Sequence, residues 1–192
     1  MSVETDGGDA EQPVVLAVDD EPRVAQSFDI WLDEYEVVTA TSGEEALAKL
    51  TERVDVVLLD RHMPGMSGDE VLDRIRERDV SPRVAMVTGV EPDFDIAEMP
   101  FDDYVEKPVG PDGVLDTVER LLDRATYDER IAELETVAGK IALLEEAHSA
   151  GKLEDDERFS ELVDRRDRLR QETDELLADL GPEEFERIMS DF

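Results

Sequence analysis

The feature that most constrains this chain is an aliphatic run, Val56-Val57-Leu58-Leu59, that stops at Asp60 and leads into a loop carrying Pro64, Gly65 and Gly68. A short aliphatic run bounded by turn residues reads as a strand buried on both faces, as in parallel sheets covered by helices. Asp60 then falls at the strand's carboxyl end, where open α/β sheets place their ligands. A carboxylate there costs folding energy unless a partner offsets its charge.

The flanking sequence supplies the other strands. Val14–Val18 is apolar throughout and ends in Asp19-Asp20-Glu21, and Pro22 suits the first turn of a helix carrying Val24, Phe28, Ile30, Trp31 and Leu32. A second strand is expected over Glu36–Thr39, and Ser42 with Glu45 three residues on caps the next helix. Beyond Asp60 the pattern predicts a helix over Ser67–Arg78 and a strand over Arg83–Val87 that ends at Thr88-Gly89. Only a short helix fits between Pro92 and Pro100, and Asp103–Glu106 is a weak strand leading into Lys107-Pro108. A helix with Leu115, Val118, Leu121 and Leu122 begins near Asp112.

Strands alternating with helices at this spacing predict an α/β fold with a doubly wound, five-stranded parallel sheet. Right-handed crossovers place every carboxyl end on one edge. Asp19, Asp20, Asp60, Thr88 and Lys107 therefore converge, although 88 positions separate the first from the last.

Composition limits the setting. The 53 acidic and 20 basic residues give a formal net charge of −33, and only Lys49, Lys107, Lys140 and Lys152 are lysines. Such a chain repels itself unless salt screens it, which reads as adaptation to a salt-rich cytoplasm. The 40% hydrophobic residues, in periodic runs, argue against disorder as the alternative. No cysteine is present, which excludes disulfides, thiol nucleophiles and thiolate zinc sites. No apolar run is long enough to span a membrane, and the expectation is a cytoplasmic protein with a disordered acidic tail over 1–12.

Acids crowded at one edge repel each other by up to about 4 kcal/mol for a pair ~4 Å apart at an effective dielectric near 20. Mg²⁺ relieves that repulsion and takes oxygen ligands, usually one or two carboxylates with water and phosphate oxygens. A carboxylate can also accept a phosphoryl group, a transfer that depends on metal, cations and positioning. Lys107 offers the cation and Thr88 a hydroxyl. The ordinary alternatives are helix N-terminal acids for Asp19 and Asp20, a turn residue for Asp60 and a half-buried strand tyrosine for Tyr104.

Taken together, Asp19-Asp20, Leu58-Leu59-Asp60-x-x-Met63-Pro64-Gly65-Met66-Ser67-Gly68, Val87-Thr88-Gly89 and Asp103-Tyr104-Val105-Glu106-Lys107-Pro108 resemble the flavodoxin-like receiver domain of two-component response regulators. The resemblance spans residues 13–124. It implies that Asp60 is the phospho-acceptor and that Asp19, Asp20, Asp60 and the backbone carbonyl of His62 hold Mg²⁺. It further implies that Thr88 and Lys107 contact the phosphoryl group, that Thr88 and Tyr104 form the switch, and that the Lys107–Pro108 bond is cis. The implied donor is a sensor histidine kinase, and the implied chemistry is self-phosphorylation and self-dephosphorylation with no separate substrate. The 18 residues between Thr88 and Lys107 are fewer than is usual in that family. Two other classes stand beside this one. A haloacid dehalogenase-type phosphatase wants acids two apart after its first strand, and a scaffold would show no phosphoryl chemistry.

Residues 125–192 read as a helical hairpin. One stripe runs through Tyr127, Ile131, Leu134, Ala138, Ile141 and Leu144, and a second through Phe159, Leu162, Arg166, Leu169, Thr173, Leu176 and Leu180, with a loop over His148–Lys152. Gly181-Pro182 ends the second helix and can open a last short one. Tyr127-Asp128-Glu129-Arg130, Lys140-x-Ala142-Leu143-Leu144-Glu145 and Asp191-Phe192 resemble the HalX domain of haloarchaeal regulators, implying an output in transcription. The segment carries 21 acids and 9 bases. Its cluster Arg165, Arg166, Arg168 and Arg170 has i,i+4 acidic partners in Glu161 and Asp164, so a solvated face is expected. Candidate partners are DNA, a regulatory protein or a second copy of the chain.

Overall fold

The computed structural model describes residues 12–90 and 94–179, and the chain divides into two compact units between Leu122 and Asp123. The first holds strands β1 (Val14–Val18), β2 (Glu36–Ala40), β3 (Val54–Leu59), β4 (Arg83–Thr88) and β5 (Asp103–Glu106). Helices α1 (Pro22–Trp31), α2 (Gly43–Lys49) and α3 (Gly68–Arg76) alternate with them, a 3-10 turn at Phe94–Glu98 precedes β5, and α4 spans Pro111–Ala147. All strand pairs are parallel, in the order β2-β1-β3-β4-β5.

The aliphatic runs are continuous because both faces of the sheet are covered. Leu16, Val18, Val57, Leu59, Val84 and Met86 pack with α2 and α3 residues such as Leu47, Leu72 and Ile75. Val15, Ala17, Val56, Leu58, Ala85 and Val87 pack with Phe28 of α1 and with Val114, Val118 and Leu121 of α4. Burying a full aliphatic or aromatic side chain stabilises by about 1.5–3 kcal/mol, so this double layer is the main source of stability.

Local signals act where the sequence places them. Ser42 accepts the Glu45 N–H at the start of α2, and Ser67 with Glu70 forms a complete capping box at α3. The helix expected to reach Arg78 ends at Arg76, where Arg78 instead donates to the Leu47 carbonyl at 2.6 Å. Lys107–Pro108 is cis.

In the second unit, α4 passes Val137 and Ile141 against Leu169 of α6 (Glu157–Asp179), with Leu134, Phe159, Leu162 and Val163 around them. Three expectations need correction. Val137 rather than Ala138 fills the seam, because it turns to the same side as Leu134 and Ile141 and has more apolar surface to bury. The connection is not wholly a loop: Ala150–Glu154 forms a short helix, α5, that buries Leu153. Arg165 pairs across the hairpin with Glu133, not along its own helix with Glu161, and Arg130 likewise reaches Glu172. These crossed pairs fit antiparallel helices. Thr173 is buried in the seam with its hydroxyl donated to the Leu169 carbonyl, while Arg166 stays half-exposed beside Asp167. Of the tail expected over 1–12, all but the exposed Gln12 lies outside the described residues, as do Leu180 of the second stripe, the Gly181-Pro182 stop and the helix expected after it.

Candidate functional site

Strand order reverses between β1 and β3, and the crevice at such a reversal is where doubly wound sheets bind ligands. Asp19 and Asp60 flank it from the two strand ends. Both are tied into the sheet beyond the last strand residue: Asp19 N–H donates to Ala40 O at 3.1 Å and Asp60 N–H to Val18 O at 2.9 Å. Lys107 follows β5, and its N–H donates to Thr88 O at 2.8 Å. Backbone pairing thus fixes the reach of each side chain.

The three meet. Lys107 Nζ lies 2.6 Å from Asp19 Oδ2 and 3.1 Å from Asp60 Oδ1. The other Asp19 oxygen accepts the Glu21 N–H at 2.9 Å, at the entrance to α1. Asp19 and Asp60 are buried at 1% and 7% exposure, whereas Asp20 is half-exposed. Burial pushes the Asp60 carboxyl above its usual range, Lys107 opposes that shift, and the charges of Asp19 and Asp20 add to it. Burial would lower the Lys107 ammonium, but its hydrogen bonds and attraction to Asp19 and then Asp60 outweigh this and hold it up. The cation is therefore secured chiefly by Asp19, and Asp60 retains part of its desolvation cost.

Thr88 is buried at 1% exposure, and its hydroxyl accepts a long bond from Val90 N–H at 3.4 Å. Tyr104 is half-buried, donates its hydroxyl to Val90 O at 2.7 Å and packs on Phe101 at 5.6 Å between ring centroids. Thr88 and Tyr104 are thus linked through Val90. His62 is exposed, two residues past Asp60.

The loop between β3 and α3 holds features that strand and helix patterns could not reveal. Gly65 adopts φ +82°, and a Cβ on Gly68 would stand 2.2 Å from Asp60 O. Arg61 is buried and forks onto Asp69 at 3.0–3.3 Å. A signal for this pair existed only as opposite charges eight positions apart, which no helix or strand period selects.

Among the described residues, no group of three or more His, Asp or Glu side chains forms a ready metal cage. Mg²⁺ does not need one, since it is usually held by one or two carboxylates and keeps much of its water. Two carboxylates, Asp19 and Asp60, meet one ammonium and the charge of Asp20 also reaches Asp60, which leaves an uncompensated negative charge and only hard oxygen donors, a set that suits such a cation.

A family model described as the response regulator receiver domain matches residues 15–119, and the HalX domain matches residues 123–189. A candidate transcriptional regulator of Haloferax volcanii is 46% identical over 165 residues, covering 85% of this chain and 28% of the relative. The alkaline phosphatase synthesis transcriptional regulatory protein PhoP of Bacillus subtilis is 35% identical over 117 residues, 58% of this chain and 49% of its own. This chain spans less than half the length of either relative. Among solved structures, the chemotaxis protein CheY4 of Vibrio cholerae aligns at TM-score 0.55 and 32% identity, covering 58% of this chain and 99% of that one. The BeF3-activated receiver domain of Thermotoga maritima DrrB aligns at TM-score 0.53 and 29% identity, covering 58% and 97%. The buried Asp-Lys-Asp cluster thus stands at the switch point of a fold shared with these proteins, and the chain belongs to the response regulator receiver family, with a HalX domain following the receiver.

Proposed function

We propose that this protein is a phosphorylation-controlled regulator in which Asp60 takes a phosphoryl group from a sensor histidine kinase, with residues 13–124 as receiver and 125–192 as output. The single observation that carries the reading is the Lys107 ammonium held between Asp19 and Asp60. A carboxylate oxygen of Asp60 forms the new P–O bond while the donor's bond to phosphorus breaks and its electron pair leaves with the donor. Lys107 exchanges its contact with Asp60 for the incoming phosphoryl oxygens, and Thr88 donates its hydroxyl to them. Asp19, Asp20, Asp60 and the His62 carbonyl are the groups that would hold Mg²⁺. When bound, that ion supplies charge neutralisation of the phosphoryl oxygens.

Phosphorylation adds about −1.5 to −2 charge at neutral pH and three acceptor oxygens. Drawing Thr88 toward them loosens its contact with Val90 N–H, and Val90 in turn holds the Tyr104 hydroxyl. The two arrangements are populations that the phosphoryl group re-weights. For the output we adopt regulation of transcription, in keeping with the name of the Haloferax relative. The 21 acids against 9 bases of residues 125–192 favour contact with a regulatory protein or a second copy over direct contact with DNA phosphates.

The test is labelling with acetyl phosphate in high salt. Wild-type protein should take label in the presence of Mg²⁺, and Asp60→Asn should not; undiminished label on that variant overturns the assignment. Pull-downs of DNA and of protein in high salt, with and without beryllofluoride, separate the output partners.

A further inference from the structure

Arg61 is buried at 7% exposure and follows Asp60 directly in the chain. It forks onto Asp69, with Nε 3.0 and 3.3 Å from the two carboxylate oxygens and Nη2 3.2 Å from one of them. Asp69 lies in the first turn of α3, where a negative side chain also complements the helix dipole. The groups that move the Asp60 carboxyl are its burial, Lys107, Asp19 and Asp20.

The same place carries two further ties. Gly68 N–H donates to Arg61 O at 2.9 Å. The backbones meet so closely there that a Cβ on Gly68 would lie 2.2 Å from Asp60 O and 2.8 Å from Arg61 Cα. Met63 and Met66 anchor the intervening loop in the core at 8% exposure each. His62 is exposed between the buried Arg61 and the buried Met63.

We infer that the Arg61–Asp69 ion pair is a positioning device: it closes the loop from Arg61 to Ser67 at its base and presents the His62 carbonyl at a fixed place beside Asp60, ready for a divalent cation. The inference rests on the proposed role of Asp60. A fork between planar groups is suited to this, since it fixes orientation as well as distance. The pair is part-buried, with Arg61 at 9% and Asp69 at 42% side-chain exposure, and a part-buried pair is screened less by salt than a surface one.

The experiment uses the full chain in high salt with Arg61→Met and Asp69→Asn. Asp69 is 42% exposed in its side chain, so the second variant should fold even if the first does not. Two readouts are independent of phosphoryl transfer: hydrogen exchange at the Gly68 N–H in metal-free protein, and calorimetric Mg²⁺ affinity. Each variant should exchange faster at Gly68 and bind Mg²⁺ more weakly, on the order of 10-fold as for other supporting partners of metal ligands. The double variant should lose no more than the worse single one, and acetyl phosphate labelling should recover at saturating Mg²⁺. A folded Asp69→Asn protein with wild-type exchange and Mg²⁺ affinity overturns the inference. Failure of wild-type protein to label at Asp60 would instead remove the reading on which it rests.

Discussion

Asp60 is the residue at which folding and chemistry pull in opposite directions. Its carboxyl is held above the usual range chiefly by burial. A raised carboxyl pKa means that the folded protein binds the proton more tightly than the unfolded chain. The neutral acid's favourable contribution is complete below the unfolded pKa and is lost as pH rises through the folded one. At neutral pH the carboxylate is thus a net cost, and Asp60→Asn should raise the melting temperature of metal-free protein, with the gap narrowing in Mg²⁺. A lower melting temperature would mean that the Lys107 contact outweighs burial. Gly68 is constrained by shape alone. Gly68→Ala forces a methyl group into Asp60 O, so a loss of about 1–3 kcal/mol or more is expected by chemical denaturation. Pro64, Gly65 and Gly68 were readable as turn residues, but the Asp69 partner of Arg61 was not, because it is set by how one loop closes and not by any repeating period.

At the scale of elements, caps and seams can be tested separately. Glu45 in α2 is held down to about 2 by its hydrogen bond from Lys49 and then by Thr41. Its contribution is therefore present above the unfolded carboxylate range, around 4.5, and fades as pH falls toward about 2. Glu45→Gln should lower the melting temperature at neutral pH, and the difference should vanish in acid. In the hairpin, Leu169 is fully buried against Val137 and Ile141. Leu169→Ala should cost about 2–5 kcal/mol, read as loss of helical signal at lower denaturant. Thr173→Val should be neutral or slightly stabilising, because its hydroxyl bonds only to its own helix, at the Leu169 carbonyl. The two stripes were readable as helices from their period. Which residue of each turn faces the partner was not, as Val137 in place of Ala138 illustrates.

For the whole molecule the governing quantity is the net charge of −33. Screening length falls from about 10 Å at 0.1 M salt to about 3 Å at 1 M, so self-repulsion fades as salt rises. The melting temperature should climb steadily from dilute buffer into molar KCl, and a flat profile would mean that charge repulsion does not govern stability. No helix among the described residues is long and apolar enough to cross a membrane.

The sequence by itself determined what depends on near neighbours. Apolar runs covered on both faces became the parallel strands β1, β3 and β4, Ser42 and Ser67 began α2 and α3, and the acids and the lysine fell at strand ends. Only the tertiary structure decided which of these groups touch. Lys107 is held more closely by Asp19 than by Asp60, Arg61 turns to Asp69, and Arg165 crosses to Glu133. The physical reason is range: period and capping act over three or four residues, whereas an ion pair between distant segments depends on how whole elements pack.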